Sequence, residues 1–193
     1  MSKQCQSKLS LVAKDYLAVF YCVFEQMMRG MTSARLTDSI SHNFIVQMIP
    51  HHQAAIDMSR NLLRYTTCVP LQNIAEDIIT SQTKSIQNML AAEESCSCLE
   101  NSSQDIMLYQ RRVSRIMDTM FSDMGSAPMT NDVNLNFIQE MIPHHKGAIA
   151  MSKNALQYDI CPELKPILQA IITSQEKGVR QMEKLRRAIT ADC

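Results

Sequence analysis

The chain has 193 residues and a hydrophobic content of 46%, enough to bury a core in one sizeable domain or two small ones. Its 19 basic residues equal its 19 acidic residues, which leaves no source for the phosphate-driven attraction that dominates nucleic-acid binding, so we expect no nucleic-acid partner. With 4 glycines, no tryptophan and 15 methionines, the composition favours helices and is unusually rich in thioether side chains.

The first apolar stretch, residues 9–24, contains Lys14 and Asp15. These charges argue against a membrane span, and the stretch lacks the basic start and small-residue cleavage site of a signal peptide. We therefore expect no membrane association and a cytoplasmic protein, or a periplasmic or other extracytoplasmic one if a leader is missing. The seven cysteines are an odd number without the dense spacing of a secreted disulfide framework, which favours reduced thiols.

The chain contains an internal duplication at an offset of 93 residues. Without any gap, this offset aligns Met-Ile-Pro-His-His at residues 48–52 with the same sequence at 141–145, and Ile-Ile-Thr-Ser-Gln at 78–82 with the same sequence at 171–175. The duplication predicts two helical repeat units, residues 1–95 and 104–193, joined by a polar linker of residues 96–103.

Apolar spacing of three and four residues predicts three helices in each unit. They are expected near residues 9–31, 39–65 and 71–92, and near 104–124, 132–158 and 163–188. Gly30 and the polar stretch of residues 32–38 are expected to end the first helix near Met31, and Asp38 and Asn131 are the capping candidates for the second helices. The fold class is therefore all-α, an antiparallel bundle of two duplicated three-helix units related by a pseudo-two-fold axis, in which the second helices meet or face each other.

Pro50 and Pro143 fall inside the second helices, directly before paired histidines. A proline there removes one helical hydrogen bond and bends the helix. Alternatively, each proline is the first residue of a separate short helix, and the sequence leaves both interpretations open.

Each second helix carries the motif Met-x-x-His-His-x5-Met, whose Met and His residues fall within an arc of roughly 120° on one helix face. Further methionines lie on one side of the first helices. The candidate metal ligands are Met48, His51, His52, Met58, Met141, His144, His145 and Met151, with Met27, Met31, Met120 and Met124 as additional candidates.

A mixture of soft, neutral thioether sulfur and borderline imidazole nitrogen favours copper(I), with silver(I) as its mimic, over magnesium or calcium. Zinc fits less well because its usual sites use Cys, His and carboxylate. A di-iron site would need Glu-x-x-His pairs, and neither His51 nor His144 has Glu three residues before it.

These residues also have purely structural interpretations. Methionine at helical spacing more often fills a core, which we favour for Met27 and Met31 taken alone. Adjacent histidines point about 100° apart, so we expect one of each pair to bind the ion, with a slight preference for His51 and His144. The pair Cys96 and Cys98 could clamp a soft ion, although a structural or incidental role is favoured.

The third helices carry a stripe with small residues at its middle, including Ser81, Ser85 and Gly178. We expect this notch to make room for the Met and His cluster of the second helix.

The segments at residues 48–58 and 141–151 resemble the bacterial family catalogued as domain of unknown function 305, and the resemblance covers most of the chain. The core Met-x-x-His-His-x-x-Ala-x-x-Met is specific when it occurs twice in register. The resemblance implies a ferritin-like fold, copper ligands at the Met and His positions of both motifs and, from members described as periplasmic copper-binding proteins, a role in copper resistance.

We therefore expect a protein that binds copper(I) or silver(I) for sequestration, transfer or resistance, without chemical turnover. A copper-transfer protein or a second copy of the chain would be its partner. Two alternatives come from other classes. A ferritin-like metal-dependent redox enzyme would require carboxylate ligands that the sequence does not place, and a structural helical interaction module would hold no metal.

Overall fold

The computed structural model describes residues 9–96 and 98–191, and within them it contains six α-helices and no β-strand. The helices are α1 Leu11–Thr32, α2 Ile40–Leu63, α3 Val69–Cys96, α4 Ser103–Gly125, α5 Val133–Ala155 and α6 Leu164–Ala191. The predicted all-α class is confirmed. No helix within the described residues has the length and apolar character needed to span a membrane.

The N-caps of two helices differ from the sequence prediction by one residue. The N-cap of α2 is Ser39 instead of Asp38, and its side chain accepts a hydrogen bond from the backbone N–H of His42. The N-cap of α5 is Asp132 instead of Asn131. Serine and aspartate side chains both satisfy backbone donors that a helix start would otherwise leave unpaired.

The prolines do not divide the second helices. Helices α2 and α5 continue through Pro50 and Pro143, so the alternative in which each proline starts a separate helix is wrong. Helix α1 ends at Thr32, one residue beyond the predicted end near Met31, and so includes Gly30. The absence of a side chain at Gly30 serves packing, because a Cβ there would lie 2.8 Å from Cβ of Pro50.

Helices α1 and α2 run antiparallel, as do α4 and α5. Asn61 near the end of α2 donates to the carbonyl of Tyr16 near the start of α1, and Gln47 donates to the carbonyl of Met31 at the other end. Asn154 and Tyr109 repeat the first of these contacts between α5 and α4.

The two halves of the chain pack through equivalent helices, α2 against α5 and α3 against α6. Helices α1 and α4 flank this central group, each packed on the second helix of its own half. Buried apolar side chains from all six helices form one continuous core. The middle of this core is therefore the place where equivalent positions of the duplicated sequence meet.

A disulfide between Cys96 at the end of α3 and Cys161 before α6 joins the two halves. The expectation that all cysteines are reduced is wrong for this pair. Cys96 is also the last residue of α3, although the sequence analysis assigned it to the linker. Cys22, Cys68 and Cys98 are free thiols.

Candidate metal centre

The four paired histidines meet at the centre of the bundle. The rings of His51 in α2 and His144 in α5 stack with their centroids 3.7 Å apart and an interplanar angle of 29°. His52 and His145 lie beside them, each with its ring centroid 5.9 Å from that of its neighbour in sequence. All four side chains are at most 2% exposed. We call this set the histidine quartet.

Few of the ring nitrogens of the quartet form hydrogen bonds. Nε2 of His144 lies 3.0 Å from the carbonyl oxygen of His51, which assigns the proton of His144 to Nε2 and leaves its Nδ1 with a free lone pair. Nε2 of His52 lies 3.1 Å from the hydroxyl of Ser85. Five buried ring nitrogens have no partner: Nδ1 and Nε2 of His51, and Nδ1 of His52, His144 and His145.

Burial keeps the quartet neutral. Desolvation lowers the pKa of His52 to about 3 and the pKa of His144 to about 4. It also lowers the pKa of His51 and of His145 well below the usual value, and the neighbouring imidazoles act in the same direction. At neutral pH each ring therefore has an unprotonated nitrogen, the form that binds metal ions.

The predicted methionine ligands all lie in the core, with at most 2% of any side chain exposed: Met27, Met31, Met48, Met58, Met120, Met124, Met141 and Met151. Met120 occupies the space that a side chain at Gly147 would need, so α4 approaches α5 closely at this point. Burial alone is compatible with a ligand and with a core-filling residue.

The quartet does not form a compact site of three or more imidazoles. Within the described residues, one group of three His, Cys, Asp or Glu residues has its ligand atoms within 4.8 Å of one another, and it consists of Cys96, Cys161 and Glu163. Cys96 pairs with Cys161 and not with Cys98, so the structure does not form the two-cysteine clamp considered for Cys96 and Cys98.

A cavity of about 240 Å³ lies between α3 and α6 and reaches His145. Ser81, Gln82 and their equivalents Ser174 and Gln175 line it. The exposed side chains of Asp77 and Lys177 pair at 3.2 Å and also line it. This cavity connects the surface of the bundle to one edge of the quartet.

The surroundings of the two histidine pairs differ because Gly178 lies against one of them. A Cβ at Gly178 would lie 2.9 Å from Cδ2 and 3.0 Å from Nε2 of His145. The equivalent residue in the first half is Ser85, which hydrogen-bonds His52. The small residues Ser85 and Gly178 of the predicted notch therefore lie against His52 and His145, and of the quartet only His145 borders the cavity.

Two buried glutamines that were not among the predicted site residues line the cavity that reaches His145. Both amide atoms of Gln82, and Oε1 of Gln175, are buried without a partner. The signal was present in the repeated Ile-Ile-Thr-Ser-Gln segment, because a polar residue repeated on an apolar helix face marks a polar site. Their position on the cavity wall became clear only from the packing of α3 on α6.

One half of the core contains a buried acid that the other half lacks. Glu140 is the buried acidic residue within the described ranges, and the hydroxyl of Tyr16 donates to its carboxylate at 2.8 Å. Burial raises the pKa of Glu140, and the hydrogen bond from Tyr16 opposes that shift. Gln47 takes the equivalent position in the first half. The described core thus lacks the several carboxylates of a di-iron site.

The fold and the site together define an all-α bundle protein built by duplication, with stacked imidazoles where its halves meet and methionines buried in its core. The chain belongs to the family described as domain of unknown function (DUF305), whose model matches residues 22–93 and 41–186. The expected family is confirmed, and the two overlapping matches accord with a tandem duplication.

A crystal structure of a DUF305 fragment from Deinococcus radiodurans is similar to this chain, with a TM-score of 0.56 and 22% sequence identity. The match covers 77% of this chain and 96% of that chain. At this identity the similarity shows the fold alone. No curated protein matches the chain.

Proposed function

We propose that this protein binds copper(I), or silver(I) as its mimic, through the histidine quartet and the buried methionines predicted as ligands with it, for sequestration, transfer or resistance. The observation that carries the proposal is the set of five buried ring nitrogens without a partner. Each buried polar atom without a partner lowers the stability of the fold by about 1–3 kcal/mol, and a bound metal ion would give several of these nitrogens a partner.

The donor chemistry favours a soft monovalent ion. The imidazoles are neutral, and thioether sulfur is neutral by nature, so little anionic charge would be buried with the ion. Because the quartet does not bring three ring nitrogens together, an ion would bind through fewer imidazoles, with methionine sulfur completing its coordination. His51 and His144 remain the favoured ligands, since they lie where the two halves meet.

The cavity between α3 and α6 gives an access route to this site. A partially desolvated ion would pass Gln82 and Gln175, whose unpaired amide oxygens can replace water, and would meet His145 first. In this scheme His145 receives the ion and His52, already bonded to Ser85, orients the inner rings. The route supports exchange with a copper-transfer partner.

We propose an oxidising compartment instead of the expected cytoplasm, because disulfides persist in such compartments and are rare in the cytosol. The proposal includes no chemical turnover. A metal-dependent redox enzyme would use carboxylate ligands, whereas Glu140 hydrogen-bonds Tyr16. A structural module would leave the unpaired nitrogens of the quartet without an explanation.

X-ray absorption at the copper edge tests this ligand set directly. The full chain, with the cysteines outside the disulfide replaced by Ser, is loaded with copper(I) under anaerobic conditions. We expect both nitrogen and sulfur neighbours around copper, and loss of the nitrogen neighbours in His51→Leu/His144→Leu. His42→Ala is the matched control, because His42 lies in α2 but outside the quartet. A spectrum with sulfur neighbours only would contradict the proposal.

A further inference from the structure

The group around the disulfide lies apart from the histidine quartet, at the end of α3 and the turn before α6. The Cα atoms of Cys96 and Cys161 are 5.1 Å apart. Oε2 of Glu163 lies 2.9 Å from Sγ of Cys161, and the ligand atoms of all three residues lie within 4.8 Å of one another. Both cysteines are buried and Glu163 is exposed, so the group opens to solvent on the carboxylate side.

Hydrogen bonds hold the two cysteine backbones in place independently of the disulfide. The hydroxyl of Ser39 donates to the carbonyl of Cys96 at 3.1 Å, and the N–H of Cys161 donates to the hydroxyl of Ser41 at 2.9 Å. Both serines belong to the start of α2. The two sulfur atoms are therefore expected to stay close when the bond between them is broken.

Asn101 reinforces the same arrangement. Its side chain accepts from the N–H of Ile40 at 2.9 Å and donates to the carbonyl of Asp159 at 2.7 Å. Its own N–H donates to the carbonyl of Asp38 at 2.8 Å. The segment after α3 and the turn before α6 are thus both tied to the start of α2.

We propose that reduction of the disulfide turns Cys96, Cys161 and Glu163 into a binding site for a divalent zinc-like cation. Zinc takes thiolate and carboxylate ligands in a tetrahedral arrangement, and water on the exposed side would fill the fourth position. Two thiolates and one carboxylate suit a divalent ion, whereas the neutral quartet suits a monovalent one. The two sites therefore select different metals.

The disulfide is reduced by thiol–disulfide exchange. A small dithiol reductant supplies two electrons and two protons, the Cys96–Cys161 bond breaks, and the reductant becomes a disulfide. Binding of the cation then displaces the two thiol protons into solvent, because thiolate is the metal-binding form. In the oxidised form neither sulfur can act as a thiolate, so this site exists only after reduction.

The duplication does not account for this group. The equivalents of Cys96, Cys161 and Glu163 at the 93-residue offset are Ile189, Cys68 and Pro70. Two of the three ligand types are thus missing from the other copy, and the site is an addition to one end of the bundle.

Cobalt(II) is the probe, because its bond to thiolate gives an intense ultraviolet charge-transfer absorption that imidazole or carboxylate does not. The full chain, with the cysteines outside the disulfide replaced by Ser, is compared in oxidised form and after reduction and removal of the reductant. We expect one equivalent of cobalt to give the charge-transfer band in the reduced form only, and zinc to displace it. A reduced protein without the band, or a band of equal strength in both forms, would overturn the proposal.

Glu163→Gln tests the carboxylate without removing a cysteine. We expect cobalt affinity in the reduced protein to fall by at least the roughly 10-fold that loss of a supporting group causes at metal sites. Asp159→Asn, an exposed acid in the same turn, is the matched control and should keep its affinity. Equal affinity in both variants would remove Glu163 from the site. Because copper binding by the quartet produces no cobalt–thiolate band, failure here is distinct from failure of the copper proposal.

Discussion

The imidazole of His144 stacks on that of His51 at 3.7 Å and donates a hydrogen bond from Nε2 to the carbonyl oxygen of His51. These two residues occupy the same position in the two copies of the duplicated sequence. The duplication therefore brings one residue type to both sides of a shared site, since the second helices pack on each other. A single copy would hold only half of the quartet.

His51→Leu should stabilise the metal-free protein while weakening copper binding. Both ring nitrogens of His51 are buried without partners, and an apolar side chain of similar size removes that cost. Lost stacking on His144 offsets part of the gain, so we expect the free energy of unfolding to rise by about 1 kcal/mol. Urea unfolding in the presence of a chelator measures this, and a decrease of the same size would mean that His51 is hydrogen-bonded in the metal-free state.

The metal-free protein should lose stability as the pH falls below the ordinary histidine pKa of about 6.5. The pKa of His52 is lowered to about 3 and that of His144 to about 4 by burial, so the unfolded chain binds protons that the folded chain does not. The free energy of unfolding should therefore be highest above about pH 6.5. It should decline as the pH falls toward 4, by about 1.4 kcal/mol per pH unit for each histidine.

The test is to measure the free energy of unfolding at pH 7, 6 and 5 for the unaltered chain and for His52→Leu/His144→Leu. The double variant should show a shallower decline, because two of the four buried imidazoles are gone. The same slope in both proteins would show that the quartet is not responsible for the acid sensitivity.

Gly178→Leu should lower metal affinity before it unfolds the chain. The new side chain would displace the ring of His145, from which a Cβ is already only 2.9 Å away. Overpacking of this kind costs about 1–3 kcal/mol in stability. Thr173→Leu, on the exposed side of the same helix, is the control, and competition titration with silver(I) is the measurement. Equal affinities in the two variants would mean that His145 does not contribute to binding.

Reduction of the disulfide should destabilise the fold considerably. Cys96 and Cys161 close a loop with a sequence separation of 65, and the chain-entropy relation for such a loop gives about 4 kcal/mol. Cys96→Ser should lose a similar amount, whereas Cys98→Ser, an exposed free thiol, should change stability by less than about 0.5 kcal/mol. Urea unfolding of the two variants decides this. A loss as small for Cys96→Ser as for Cys98→Ser would contradict a stabilising role of the disulfide.

Helix periodicity and the exact repeat were enough to predict six helices and the meeting of the second helices, because both properties are local or follow from the duplication. The disulfide could not be predicted, since Cys96 and Cys161 are far apart in sequence and their pairing depends on the packing of α3 against α6. The unequal roles of His52 and His145 also required the structure. They depend on which residue of the third helix, Ser85 or Gly178, lies against each ring.

Sequence patterns predicted candidate metal ligands on one helix face, and the structure brings the four histidines of that set together. The structure also shows contacts between different helices, which the position of a residue on one helix face does not predict. Tyr16 reaches Glu140 from a different half of the chain, and Gln82 approaches the quartet from a third helix. Such contacts depend on side-chain packing between helices distant in sequence.

Anaerobic titration of the protein with copper(I) against a competing chelator tests the central claim most directly. All chains in this titration have the cysteines outside the disulfide replaced by Ser. The quartet variant also has His51, His52, His144 and His145 replaced by Leu, and His42→Ala is the control. We predict tight binding that is lost in the quartet variant and kept in the control. Binding that is weak throughout, or unchanged in a folded quartet variant, would contradict a copper site at the centre of the bundle.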